Sequence, residues 1–189
     1  MKKYFIYFIA IVFLSGCNII YYNTSVLKKI SKTQKEYYKA LGTDHIITLK
    51  SLASLRQKVF NALKDSINLN NTEFFYVLEA NSVEDGSYIG RVWNSEFDIR
   101  YNKKAGHEIE IILKDDTSQN AINNFFDYDT RYMCSLIEQW DVGTIIKISD
   151  ESIVLGGLNY LASYIKKEDG KFKVSCLSFY EFPLEYKYK

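Results

Sequence analysis

Apolar residues recur along this chain with two different periods, and the switches between them separate helices from strands. Val26, Ile30, Tyr37 and Leu41 recur at helical spacing, with Ser25 placed to cap a helix and Gly42 to end it. Leu52, Leu55, Val59 and Leu63 fall within a narrow arc of a helical wheel, which predicts a second helix over 44–66. A third is expected over 118–140 on the stripe Ile122, Phe126, Met133, Leu136, Ile137 and Trp140, with Thr117 or Ser118 as cap and Asp115 and Asp116 near its positive end.

Elsewhere the period drops to two. Phe74, Tyr76 and Leu78 alternate with their neighbours; Phe97, Ile99 and Tyr101 oppose Glu96, Asp98 and Arg100; His107, Ile109, Ile111 and Leu113 oppose Glu108 and Glu110. Short turn segments at 84–86, 94–95 and 103–106 join strands near 73–81, 88–94, 96–102 and 107–114 into an antiparallel meander. Further strands are expected at 143–148, 158–167 and 171–182, the last two joined at Glu168-Asp169-Gly170. The fold class is therefore α+β: a meander-like antiparallel sheet of about six to seven strands packed with two or three helices. Two charges interrupt the apolar stripes, Arg56 in the second helix and Asp129 in the third. A buried lone charge needs a partner, so the two either pair across packed helices, or Asp129 faces a ligand pocket, or both reach solvent along their stems.

The extreme N-terminus follows neither period. Lys2 and Lys3 precede an apolar run from Tyr4 to Leu14, and Leu14-Ser15-Gly16-Cys17 follows at once. The run is too short for a spanning helix and reads as a signal peptide. The tetrapeptide resembles the lipobox of bacterial lipoproteins, in which a Leu, two small residues and a Cys close a short apolar region. That resemblance implies diacylglycerol on Cys17, removal of residues 1–16, and a domain tethered to the cell envelope by two or three acyl chains. The resulting division is 1–16 signal peptide, 17–42 lipidated Cys, tether and basic helix, and 43–189 a single α+β domain. Asn18 after the Cys leans toward the outer membrane, where an Asp would resemble a retention signal. The helix beside the anchor carries Lys28, Lys29, Lys32, Lys35 and Lys39 against Glu36, and either rests on anionic headgroups or is a solvated lysine face.

Composition narrows function mainly by exclusion. The 189 residues are 47% hydrophobic and 25% charged with a formal net charge of +1, which excludes disorder and leaves no global field for nucleic acid. Losing Lys2 and Lys3 with the signal peptide makes the mature chain nearly neutral. With Cys17 carrying lipid, Cys134 and Cys176 remain as an even pair outside the cytoplasm, either bridged or two buried thiols. A bridge would add about 4 kcal/mol by the chain-entropy argument.

Catalytic templates do not fit. There is no nucleophile elbow, zinc-protease motif or phosphate-binding glycine loop, and the Ser-x-x-Lys tetrads at Ser25 and Ser163 lack their companion motifs. His45 and His107 are too few for a zinc site, and Asp127-Tyr128-Asp129 has Arg131 where a calcium loop needs an oxygen. No cofactor or metal is expected. Aromatics reach 16% with Tyr ahead of Phe, which suits binding faces, although high Lys, Asn, Ile, Tyr and Phe together also follow from an AT-rich genome. The expectation is a lipid-anchored binding module that is not an enzyme, with membrane lipid and an envelope or secreted protein as partners. It would be either an immunity-type inhibitor of an envelope-targeting toxin or an envelope assembly component. The rival is a cell-wall or lipid hydrolase with dispersed carboxylates around Asp129.

Overall fold

The computed structural model describes residues 23–42, 46–81, 86–113, 131–151 and 158–182. Helices α1 (Thr24–Ala40) and α2 (Ile46–Ala62) are followed by a short 3-10 turn (Leu69–Asn71) and four strands: β1 (Phe74–Asn81), β2 (Tyr88–Trp93), β3 (Asp98–Lys103) and β4 (Glu110–Leu113). Helices α3 (Arg131–Glu138) and α4 (Val142–Glu151) then precede the hairpin of β5 (Asn159–Glu168) and β6 (Lys171–Tyr180). The strands form one antiparallel sheet in the order β4-β3-β2-β1-β5-β6. The fold is α+β, and the expected meander is its first half.

The sheet separates two cores because alternate residues of a strand face opposite sides. On one face, Phe75 and Val77 of β1, Val92, Ile99 and Ile165 pack against Val26, Leu27 and Ile30 of α1 and Leu55, Val59 and Phe60 of α2. On the other, Tyr76, Leu78, Tyr160, Leu177 and Phe179 pack against Met133, Leu136 and Ile137 of α3 and Ile145 and Ile148 of α4. The central strand β1 is therefore buried on both sides, and an alternation of apolar and polar residues reports only half of its environment. Helix α1 belongs to the same core as the sheet, so the folded domain starts by Asn23 rather than after residue 42.

Local chemistry explains the differences from the expected elements. Asn23, not Ser25, precedes α1, and its side chain clamps the chain start to the loop before β1, donating to Ile67 O (2.9 Å) and accepting from Leu69 N (2.7 Å). Residues 143–148, expected as a strand from their β-branched isoleucines, are helical. Helix α3 ends in a Schellman motif, with Trp140 at φ 51°, Asp141 N–H donating to Leu136 O (3.0 Å) and Trp140 N–H to Ile137 O (2.9 Å). Asp141 then caps α4 by accepting from Thr144 N (3.1 Å), and the Thr144 hydroxyl together with this backbone N–H holds its carboxyl below the usual range. Tertiary burial of Ile145 and Ile148, one turn apart, overrides the strand propensity. Residues 114–130, including most of the expected third helix and Asp129, lie outside the described residues.

Edge strand β6 is closed at its C-terminal half by side chains: Tyr37 Oη accepts from Ser178 N (3.0 Å) and Ser149 Oγ from Tyr180 N (2.8 Å). Asp169 (φ 51°) and Gly170 (φ 72°) supply the two positive φ angles of the tight β5–β6 turn.

One lateral row fixes the other half of the sheet. Tyr101, Gly90 and Glu79 are consecutive cross-strand partners on β3, β2 and β1. The Tyr101 ring lies across β2 exactly where a Cβ on residue 90 would sit, and its hydroxyl donates to Glu79 Oε1 (2.8 Å). Gly90→Ala should therefore displace the ring and destabilise the domain by about 1–3 kcal/mol, a drop in melting temperature of several degrees. An unchanged thermal melt would contradict this packing.

Candidate functional site

The chemistry-bearing side chains gather in two places, one sealed and one open. The sealed one lies between the helix pair and the sheet. Arg56 of α2 and Glu79 of β1 form an ion pair in which both side chains are wholly excluded from solvent. Arg56 Nη2 also donates to Ser31 Oγ (2.9 Å) and Gln34 Oε1 (3.2 Å) of α1. Gln34 Nε2 donates to Glu79 Oε2 (3.1 Å) and to Ser163 Oγ of β5 (3.2 Å). Glu79 thus receives Arg56, Gln34 and Tyr101 together. Burial, reinforced by the adjacent Glu79 carboxylate, pushes the Tyr101 phenol well above its ordinary value, so Tyr101 remains a proton donor at every physiological pH.

The expected need for a partner at Arg56 is met, but by Glu79 and not by Asp129, which lies outside the described residues. A signal for Glu79 was present: it is the one carboxylate in the otherwise apolar run Phe74–Ala80 of a strand covered on both faces. Complete burial gives this cluster no access to a substrate, so its chemistry is structural.

The two cysteines are not joined. Cys134 and Cys176 carry free thiols on opposite faces of the sheet, and the β-strands stand between them. Cys134 of α3 is buried and accepts from Arg91 Nη1 (3.1 Å), whose guanidinium is also held by Asp98 (2.9 and 2.8 Å) and lies over the Trp93 ring. Cys176 of β6 sits beside Ser163 (3.6 Å). An even number of cysteines says nothing about which face each occupies, and a bridge here would require taking the sheet apart. His107 is exposed in the β3–β4 turn, ahead of the strand that begins at Glu110. Among the described residues no three His, Cys, Asp or Glu side chains converge to hold a metal.

The open place is a cleft of about 480 Å³ between α2 and the sheet end formed by β2 and the β3–β4 turn. Lys50, Ser54 and Lys58 line it from α2, Tyr88 from β2, Lys103 from the end of β3 and Lys104 from the turn after it, with Gly86 and Gly106 at its rim. The positive φ angles of these two glycines, 63° and 76°, bend the backbone around the opening. Its described lining contains four ammonium groups, from Lys50 and Lys58 of α2, Lys103 at the end of β3 and Lys104 after it, and no carboxylate. Such a cleft attracts an anion by charge and offers Ser and Tyr hydroxyls to orient it. Sequence reading missed it because β1, β2 and most of β3 lie between Lys58 and Lys103 along the chain, and Lys103-Lys104 reads locally as a turn.

Burial pushes both thiols above their ordinary values, Cys176 to about 11, so neither is a ready nucleophile near neutral pH. Thiol titration of the acylated protein in denaturant should therefore find two reactive thiols per chain, and native protein should react far more slowly. Finding none in denaturant would restore the disulfide.

Comparison with known proteins bears on the N-terminus. Residues 1–18 match the family model described as a prokaryotic membrane lipoprotein lipid attachment site. No curated protein and no solved structure matches the chain. The chain carries a bacterial lipoprotein signal and is a lipid-anchored protein of the cell envelope, attached through acylated Cys17.

Proposed function

We propose that this lipoprotein is a binding module whose lysine cleft takes an anionic group, phosphate or carboxylate, presented by an envelope or secreted partner. The observation that carries the reading is the cleft itself, where Lys50, Lys58, Lys103 and Lys104 converge with no carboxylate among the described lining. Like charges crowd together at a cost unless a counter-charge joins them, so the cleft is preorganised for an anion. A glycosidase acting on cell wall would place two carboxylates about the scissile bond, and the described lining of the open cleft offers ammonium groups instead. The partner is either a toxin that the protein neutralises or a component of an envelope assembly. Asn18 after the lipidated Cys favours the outer membrane as the site of anchorage.

Affinity capture with the acylated protein from envelope and secreted fractions tests this directly. A stoichiometric partner should be retained by the native protein and displaced by untagged protein. Lys103→Glu/Lys104→Glu, two exposed or half-exposed positions, should cut its recovery by about tenfold, as expected for charge reversal at a complementary interface. Equal recovery by the variant, or no specific protein in either fraction, would contradict the proposal.

A further inference from the structure

The domain's charges are sorted by face, and the anchor enters on the basic one. The described helices α1 and α2 present seven exposed lysines, Lys28, Lys29, Lys32, Lys35, Lys39, Lys50 and Lys58, against the single exposed carboxylate of Glu36. On the other side of the sheet, α3, α4 and the corner joining them expose Glu138, Asp141, Asp150 and Glu151 against Arg131 and Lys147. The described helices on the two sides of the sheet thus carry opposite net charge.

The lysines of α1 are also grouped in azimuth. Val26, Leu27, Ile30, Gln34 and Tyr38 are buried against the domain. At 3.6 residues per turn the five lysines of α1 fall within an arc of about 120° directly opposite that buried stripe. Glu36 lies on the same arc but is engaged by Lys32 (3.8 Å), leaving the face with a net positive charge.

The tether converts this face into an address. Asn23 is fixed to Ile67 and Leu69, and only residues 18–22 separate it from the acylated Cys17. Even fully extended, that span reaches about 20 Å, less than the length of α1 itself, which is roughly 25 Å. The first two turns of α1 therefore cannot leave the neighbourhood of the headgroups.

We propose that the domain lies with the lysine face of α1 against the anionic leaflet that holds its own lipid anchor. The acidic α3–α4 face then points away from the membrane. Helix α1 packs over β5 and β6 and α2 over β1, whereas the lysine cleft opens beyond α2 toward β2 and β3. The cleft consequently stays open to a partner, and the orientation does not depend on what the cleft binds. Anionic lipid favours each basic side chain near the surface, multiplying association about fivefold per lysine, and the contact weakens as salt shortens the screening length.

Lysine footprinting of the acylated full chain tests the orientation. The protein is reconstituted into vesicles of phosphatidylcholine alone or of equimolar phosphatidylcholine and phosphatidylglycerol, acetylated briefly, and mapped by mass spectrometry. Labelling of Lys28, Lys32 and Lys35 should fall about fivefold or more in the anionic vesicles and recover at high salt, while Lys147 is unchanged. Lys28→Glu/Lys32→Glu/Lys35→Glu, all on exposed positions, should abolish the dependence on lipid composition without changing the thermal melt. Equal labelling of α1 in both vesicles, protection of Lys147 instead, or protection confined to Lys103 and Lys104 would each overturn the proposal.

Discussion

The ion pair of Arg56 and Glu79 is the interaction on which the remaining architecture depends. Removing two charges from water costs several kcal/mol per ion, and their attraction repays this only when surrounding groups satisfy the remaining donors and acceptors. Here Ser31 and Gln34 of α1 and Tyr101 of β3 bond the pair directly and Ser163 of β5 bonds Gln34, while Arg56 Nε is left without a hydrogen-bond partner among the described residues. The helix pair can therefore sit on this sheet in one register only. A shift of one residue in β1 would turn Glu79 to the opposite core and leave the Arg56 guanidinium buried without its carboxylate.

That fixed register has functional consequences at both ends of the helix layer. It holds α2 against the sheet so that Lys50 and Lys58 face Lys103 and Lys104 across the cleft. It also commits one side of α1 to the core, which leaves the lysines no direction but outward. The second core does a different job. Tyr76 donates to Glu138 O (2.8 Å), Trp93 Nε1 to Glu138 Oε1 (2.8 Å), and Arg91 holds Cys134, so the end of α3 is pinned to β1 and β2 by a few directed contacts. The two faces share a sheet but neither their electrostatics nor their anchoring chemistry.

Much of this was legible in advance, and the failures have physical reasons. Period-two alternation and short turns were enough for the meander, because register in a half-polar sheet is set by local pattern. Burial of Arg56 was one of the outcomes left open by its place among Leu52, Leu55 and Val59; its partner was not legible, since Glu79 belongs to the face of β1 that the alternation of Phe74, Tyr76 and Leu78 leaves unread. Residues 143–148 looked like a strand because isoleucines favour strands, and the Asp141 cap with Thr144 N was the overlooked local signal. The thiols of Cys134 and Cys176 and the cleft lysines share one difficulty: spacing along the chain carries no information about which side of a sheet a residue meets. The lipid anchor, by contrast, is a linear signal read by enzymes before folding, and it was fully legible at Cys17.

A double-mutant cycle tests the dependence on the buried pair most directly. Urea unfolding would be measured for the native protein, Arg56→Met, Glu79→Leu and the double variant. Each single change leaves an uncompensated buried charge and should cost about 3–5 kcal/mol, whereas the double change removes both charges and should recover a large part of that loss. A double variant that loses the sum of the two single losses would show that the residues act independently, and would contradict the account.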